Sequence, residues 1–199
     1  MSKTTLVLSD SMLRGVRVGY ADDTDQITRG GAVIRDLSTS IYYKDGQFGS
    51  RSIKVEGYRF IVIHVGTNDL SNGRLVSEVS LDIKDLIELI RQSNQDAVLL
   101  VSGVLYRPKD DRTTFRKVNG FNVAIKRVCD RYRSVLFLRS QSQFKSGSML
   151  LTQLYDNGGL HLNQEGRARF GSYLRARLTR GCLRRDFELA HKIVPPCLR

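Results

Sequence analysis

Apolar positions along this chain follow two rhythms. Short runs of consecutive aliphatic and β-branched residues occur at "TTLVLS" (4–9), "YRFIVIHVG" (58–66), "DAVLLVSG" (96–103) and "SVLFLR" (134–139). They lack in/out alternation, which is the pattern of strands covered on both faces. A weaker strand is predicted at "DQITRGG" (25–31). Between the runs, apolar residues recur at helical spacing. "LVSEVSLDIKDLIELIRQS" (75–93) puts Leu75, Val79, Ile83, Leu86, Ile87 and Ile90 on one stripe. "TTFRKVNGFNVAIKRVCDRY" (113–132) does the same with Phe115, Val118, Phe121, Ile125 and Val128, and Thr113 or Thr114 suits the N-cap. "NQEGRARFGSYLRARL" (163–178) opens on Asn163, a fitting cap, and repeats apolar residues at Phe170, Tyr173, Leu174 and Leu178.

Strand–helix alternation predicts an α/β fold, a doubly wound parallel sheet of about five strands in three layers with helices on both faces. One domain is expected over residues 1–180. The stretch "CLRRDFELAHKIVPPCLR" (182–199) shows no clear period and contains Pro195-Pro196, so residues 181–199 read as a tail or linker.

In doubly wound sheets the functional groups sit in loops at the carboxyl ends of strands. Four motifs fall at such places. "VLSDSML" (7–13) puts Ser11 at a strand-to-helix junction, where its hydroxyl is presented and negative charge is stabilised. "RGGAVIRDL" (29–37) offers a glycine N–H that a ligand can approach closely. "VIHVGTNDL" (62–70) sets Gly66, Asn68 and Asp69 past the strongest strand, and "YDNGGLHLNQEG" (155–166) carries His161 in a glycine-rich turn. Taken singly, each also reads as turn or cap chemistry.

Together and in this order, the motifs resemble the SGNH, or GDSL-type, serine hydrolase family over residues 4 to about 178. "GTND" followed about 90 residues later by "HLNQEG" is the most specific part. The resemblance implies the flavodoxin-like SGNH hydrolase fold and a carboxylic ester hydrolase with no cofactor. It implies Ser11 as nucleophile and His161 as base, with the oxyanion held by the Ser11 and Gly31 N–H groups and the Asn68 side chain. The substrate would be an acetyl or short-acyl ester or a lipid ester. The wording "RGGAVIRDL … GGLHLNQEG" further resembles SGNH domains embedded in animal retrotransposon proteins.

Two positions depart from the family pattern. Ser9 stands where the first block begins with glycine, and Gly158 stands where an aspartate precedes the histidine by three residues. Three alternatives follow for His161: Asp156 orients it, a backbone carbonyl near Gly158 does, or catalysis is weakened and the domain survives as a binding module.

Composition narrows the classes. With 41% hydrophobic and 26% charged residues in 199, the chain is ordinary for a globular protein. No apolar run approaches the roughly 18 residues of a membrane span, and the N-terminal apolar run is too short for a signal-peptide core. Cys129, Cys182 and Cys197 show neither disulfide nor metal spacing, which suits reduced thiols in an intracellular, cytoplasmic protein. His64 lies within a strand run and reads as a core residue, and no metal site is expected. Charge is lopsided: −1 over residues 1–100 and +13 over 101–199. Arg167, Arg169, Arg175, Arg177 and Arg180 make a candidate basic face for RNA or an anionic membrane, or else a solvated helix surface.

Overall fold

The computed structural model describes residues 3–19, 22–42 and 52–192. Five parallel strands form the central sheet: β1 (Thr5–Ser9), β2 (Thr24–Thr28), β3 (Phe60–His64), β4 (Val98–Ser102) and β5 (Val135–Leu138), in the order β2-β1-β3-β4-β5. The helices are α1 (Ile34–Tyr42), α2 (Thr67–Ser71), α3 (Val76–Ser93), α4 (Arg112–Cys129) and α5 (Gln164–Lys192). This is the doubly wound α/β architecture, and it follows from strands that carry apolar residues on both faces. Leu6, Leu8, Ile61, Ile63, Leu99 and Val101 face a core shared with α1, α3 and α4. Val7, Phe60, Val62, Val98 and Leu100 face a second core with Phe144, Phe170 and Leu174, the last two from α5. Each fully buried aliphatic side chain contributes about 1.5–3 kcal/mol relative to exposure.

Two details differ from the sequence pattern. The N-cap of α4 is Asp111, whose carboxylate accepts the Thr114 N–H at 2.7 Å; the threonines lie inside the first turn. A carboxylate at that place also meets the positive end of the helix dipole. The second difference is the length of α5, whose backbone runs on to Lys192 through the segment expected as tail or linker. Residues 182–192 are mostly helix formers, and the first prolines come only at 195 and 196. Residues 193–199 lie outside the described residues.

Of the arginines expected to form a basic face, Arg167 and Arg175 lie about 80° apart around α5, and so do Arg169 and Arg177. Arg177 lies over the Tyr173 ring, 4.9 Å from its centroid. Among the described residues no helix is long and apolar enough to cross a membrane.

Candidate active site

The strand order places the topological switch between β1 and β3, because the chain leaves β1 toward β2 on one side and returns as β3 on the other. A crevice opens at such a point, beyond the carboxyl ends of the strands. Ser11 follows β1, the Gly30–Gly31 turn follows β2, and Asn68 follows β3.

Ser11 begins a single 3₁₀ turn, Ser11–Leu13, and Asp10 builds it. The Asp10 carboxylate accepts the Met12 N–H at 2.9 Å, while the Asp10 N–H continues the sheet to the His64 carbonyl at 3.1 Å. Asp10 is almost wholly buried, and its Oδ2 has no hydrogen-bond partner. Burial pushes its carboxyl up to about 7, against the pull of the Met12 N–H and Arg107, with Asp69 adding to the rise. Ser9, in the place of the family's glycine, is buried in β1 with its hydroxyl 3.0 Å from that of Thr28. It therefore lies inside the strand, two residues before Ser11.

Two cross-links couple the Gly31 turn to the start of α2. The Asn68 side-chain amide donates to the Ala32 carbonyl at 2.9 Å, and buried Asp69 accepts the Ile34 N–H at 3.1 Å. Asp69 also pairs with Arg74 at 2.8 Å. Burial raises the Asp69 carboxyl from its usual range, offset by the Ile34 N–H and Arg74. Gly66 makes the approach to Asn68 feasible, with φ +120° and no room for a Cβ, which would stand 2.6 Å from the Phe121 ring. Gly31, at φ +73°, is exposed, and its N–H belongs to a turn that nothing crowds.

His161 arrives from the far end of the chain. An isolated bridge pairs Tyr155 with Leu162, and within it the Asp156 N–H donates to the His161 carbonyl at 2.8 Å. This clamp carries the imidazole to Ser11, where Nε2 and the hydroxyl are 3.2 Å apart. The other ring nitrogen, Nδ1, lies 3.6 Å from Asp156 Oδ2, and it makes no backbone-carbonyl contact among the described residues. Asp156 Oδ1 meanwhile accepts the Leu160 and His161 N–H groups at 3.1 and 3.4 Å. Partial desolvation pulls the Asp156 carboxyl upward, but these amides and the imidazole outweigh it and hold it below the ordinary range.

A Cβ built at 158 would stand 3.6 Å from Asp156 Oδ1, in ordinary van der Waals contact. Asp156, two residues earlier, is the carboxylate that faces the imidazole.

Other candidates lie elsewhere. His64 is fully buried, bonds Ser102 through Nδ1 at 2.9 Å and packs edge-on against Phe170; burial lowers it to about 3. Cys129 is buried in α4 and its thiol is pushed up to about 12 by that burial. The pattern along the chain did not disclose Arg14, which lines the cavity holding Ser11 and His161. Nor did it disclose buried Arg107, paired with Asp110 at 2.6 Å and bonded to Ser71 behind the site. Arg14 meets His161 across distant segments, and Arg107 reaches Ser71, far from it along the chain.

With this geometry in hand, residues 17–169 match the GDSL-like Lipase/Acylhydrolase family, a span that includes Gly31, Asn68 and His161 and begins after Ser11. A member of the lipolytic protein G-D-S-L family from Veillonella parvula superposes with a TM-score of 0.70 at 16% identity, over 90% of this chain and 100% of that one. A GDSL-like lipase from Bacteroides thetaiotaomicron gives 0.69 at 13% identity, over 88% and 87%. A carbohydrate esterase family 3 protein from Talaromyces cellulolyticus gives 0.68 at 13%, over 90% and 97%. At these identities the likeness establishes the fold. No curated protein matches the chain.

Proposed function

The chain belongs to the GDSL-like lipase/acylhydrolase family, and from that premise we propose that it is a serine esterase that cleaves a short-acyl carboxylic ester through a Ser11 acyl-enzyme. The observation that carries this reading is the 3.2 Å approach of Ser11 Oγ to His161 Nε2, across 150 residues of sequence.

In the proposed cycle the Ser11 hydroxyl gives its proton to His161 Nε2 and attacks the ester carbonyl. The tetrahedral oxyanion takes hydrogen bonds from the Ser11 and Gly31 N–H groups and from the Asn68 amide. One Asn68 N–H is already committed to Ala32, which leaves the other for the oxyanion and fixes its direction. Preorganised donors of this kind are each worth about 10²–10³ in turnover. The imidazolium that forms is stabilised by the Asp156 carboxylate and protonates the leaving alcohol. Water then enters, His161 takes its proton, and the acyl group leaves as the acid. A cavity of about 100 Å³ beside Ser11 supports a small group at the reacting centre.

The test is hydrolysis of p-nitrophenyl acetate by the wild-type protein and by Ser11→Ala and His161→Ala. Turnover that falls by several orders of magnitude in both variants is expected. Equal rates in wild type and Ser11→Ala refute the reading, and absence of wild-type turnover leaves the binding-module alternative.

A further inference from the structure

The loop that leaves β4 grips the histidine arm at two points. Tyr155 donates its phenolic O–H to the Tyr106 carbonyl at 2.5 Å, and the Lys109 N–H donates to the Gly159 carbonyl at 3.1 Å. The packing there is close, since a Cβ on Gly159 would stand 2.9 Å from the Pro108 Cβ. Tyr155 and Gly159 bracket Asp156 and precede His161, so residues 106–109 form the seat of the base. Arg107 belongs to that seat, and its side chain reaches a different element. Nη2 donates to the Ser71 hydroxyl at the end of α2, and that hydroxyl donates in turn to the Thr67 carbonyl at 2.9 Å. Thr67 is the residue before Asn68. The nucleophile arm feels the same cation. Burial raises the carboxyl of Asp10, which builds the Ser11 turn, and the Met12 N–H and the Arg107 charge draw it back.

The α2 helix needs such a tether. It has five residues, and its N-cap, Gly66, has no side chain to offer the first amides. A helix this short has no stability of its own, so contacts from outside set its direction. The Asn68–Ala32 and Asp69–Ile34 links fix it to the glycine turn, and the Arg107–Ser71 bond fixes it to the seat of His161. Asp110 aims the guanidinium. Its two oxygens each accept from Arg107 Nε at 3.0 Å, one of them also accepts from Nη2 at 2.6 Å, and its N–H donates to the Arg107 carbonyl at 3.0 Å. Both side chains are more than nine-tenths buried. Desolvating two ions offsets most of their attraction, so the pair is a poor source of stability and a good source of direction: the planar fork that clasps Asp110 holds Nη2 toward Ser71. From these contacts, and resting on the esterase reading, we propose that Arg107 is a positioning residue for the reaction, holding the oxyanion arm, through Ser71 and α2, in register with the base arm seated on residues 106–109. It acts through Asn68 and His161 rather than on the substrate. Its effect falls on the transition state, where the oxyanion and the transferred proton must be met together.

The experiment is a double-mutant cycle on kcat for p-nitrophenyl acetate, with Ser71→Ala and Asn68→Ala made singly and together and urea unfolding run on each protein. Ser71 is exposed, so truncating it leaves the buried Arg107–Asp110 pair in place and the fold intact. Ser71→Ala should lower kcat on the order of tenfold, with KM within about twofold, as a sub-ångström misplacement of a catalytic group does. In the Asn68→Ala background the same truncation should cost less than about twofold, because the group it positions is gone. Ser71→Thr keeps the hydroxyl and should stay near the wild-type rate. Arg107→Lys keeps the charge without the fork, and its kcat should fall as in Ser71→Ala. Unchanged kcat in Ser71→Ala, a loss confined to KM, or equal losses in the two backgrounds overturns the proposal while Ser11-dependent turnover of the wild type stands. Absence of Ser11-dependent turnover in the wild type refutes the esterase reading and the positioning role with it.

Discussion

Replacing Asp156 by asparagine removes one negative charge while keeping the oxygen that closes the histidine loop. Oδ1 accepts the Leu160 and His161 N–H groups, a role the asparagine oxygen retains, so the clamp that carries His161 should persist. What is lost is the charge 3.6 Å from Nδ1. At that separation two unit charges attract by about 1 kcal/mol in bulk water and about 4–5 kcal/mol at an effective dielectric near 20. The side chains are 33% and 42% exposed, so the lower figure governs. A loss of about 1–2 kcal/mol in stabilising the imidazolium corresponds to roughly five- to thirtyfold in kcat.

The buried aspartate of a serine-protease triad, by contrast, is worth about 10⁴, largely because its loss leaves the wrong tautomer with no other partner. An exposed Nδ1 has water for a partner. The assay is steady-state hydrolysis of a p-nitrophenyl ester by wild type and Asp156→Asn, at low salt and near 1 M. High salt should narrow the gap, since the screening length falls to about 3 Å there. A loss of 10³ or more, insensitive to salt, would show that the acid works as a buried triad member. Less than a twofold loss would show that Asp156 only closes the loop.

Asn68→Ala should lower kcat by about 10²–10³ while KM changes little, with a stability loss near 1 kcal/mol from the vacated Ala32 carbonyl; equal turnover would remove Asn68 from the oxyanion site. Asp10→Asn tests the buried carboxyl, whose pKa is about 7 in the fold against roughly 3.9 when unfolded. A raised value means that the protonated form contributes stability below about pH 4, and that this contribution is lost as pH rises through 7. Asparagine mimics the protonated acid and cannot ionise. Urea midpoints should therefore move in favour of the variant between pH 4 and pH 8, by an amount on the order of 4 kcal/mol. Parallel pH curves would contradict the assignment.

The sheet was legible because strands covered on both faces need unbroken aliphatic runs, and all four strong runs became strands at the expected places. The helix ends were read less well. The cap of α4 moved to Asp111, since a carboxylate competes better than a threonine for the same orphan amides. At the site, the motifs singled out Ser11, Asn68 and His161, and left Asp156 as one of three alternatives beside His161. Asp156 lies five residues back in sequence and is brought to within 3.6 Å of Nδ1 beside a backbone bridge, which no spacing rule encodes. The Asn68–Ala32 and Asp69–Ile34 links are likewise contacts between segments that are distant along the chain.

The central claim is that the Ser11 hydroxyl is made nucleophilic by His161, and one labelling measurement tests it most directly. Wild-type protein is treated with a fluorophosphonate probe and the adduct is located by mass spectrometry. A single adduct on Ser11 is expected, absent in Ser11→Ala and strongly slowed in His161→Ala. Failure of the wild type to label at high probe concentration, or an adduct at any other residue, would contradict it.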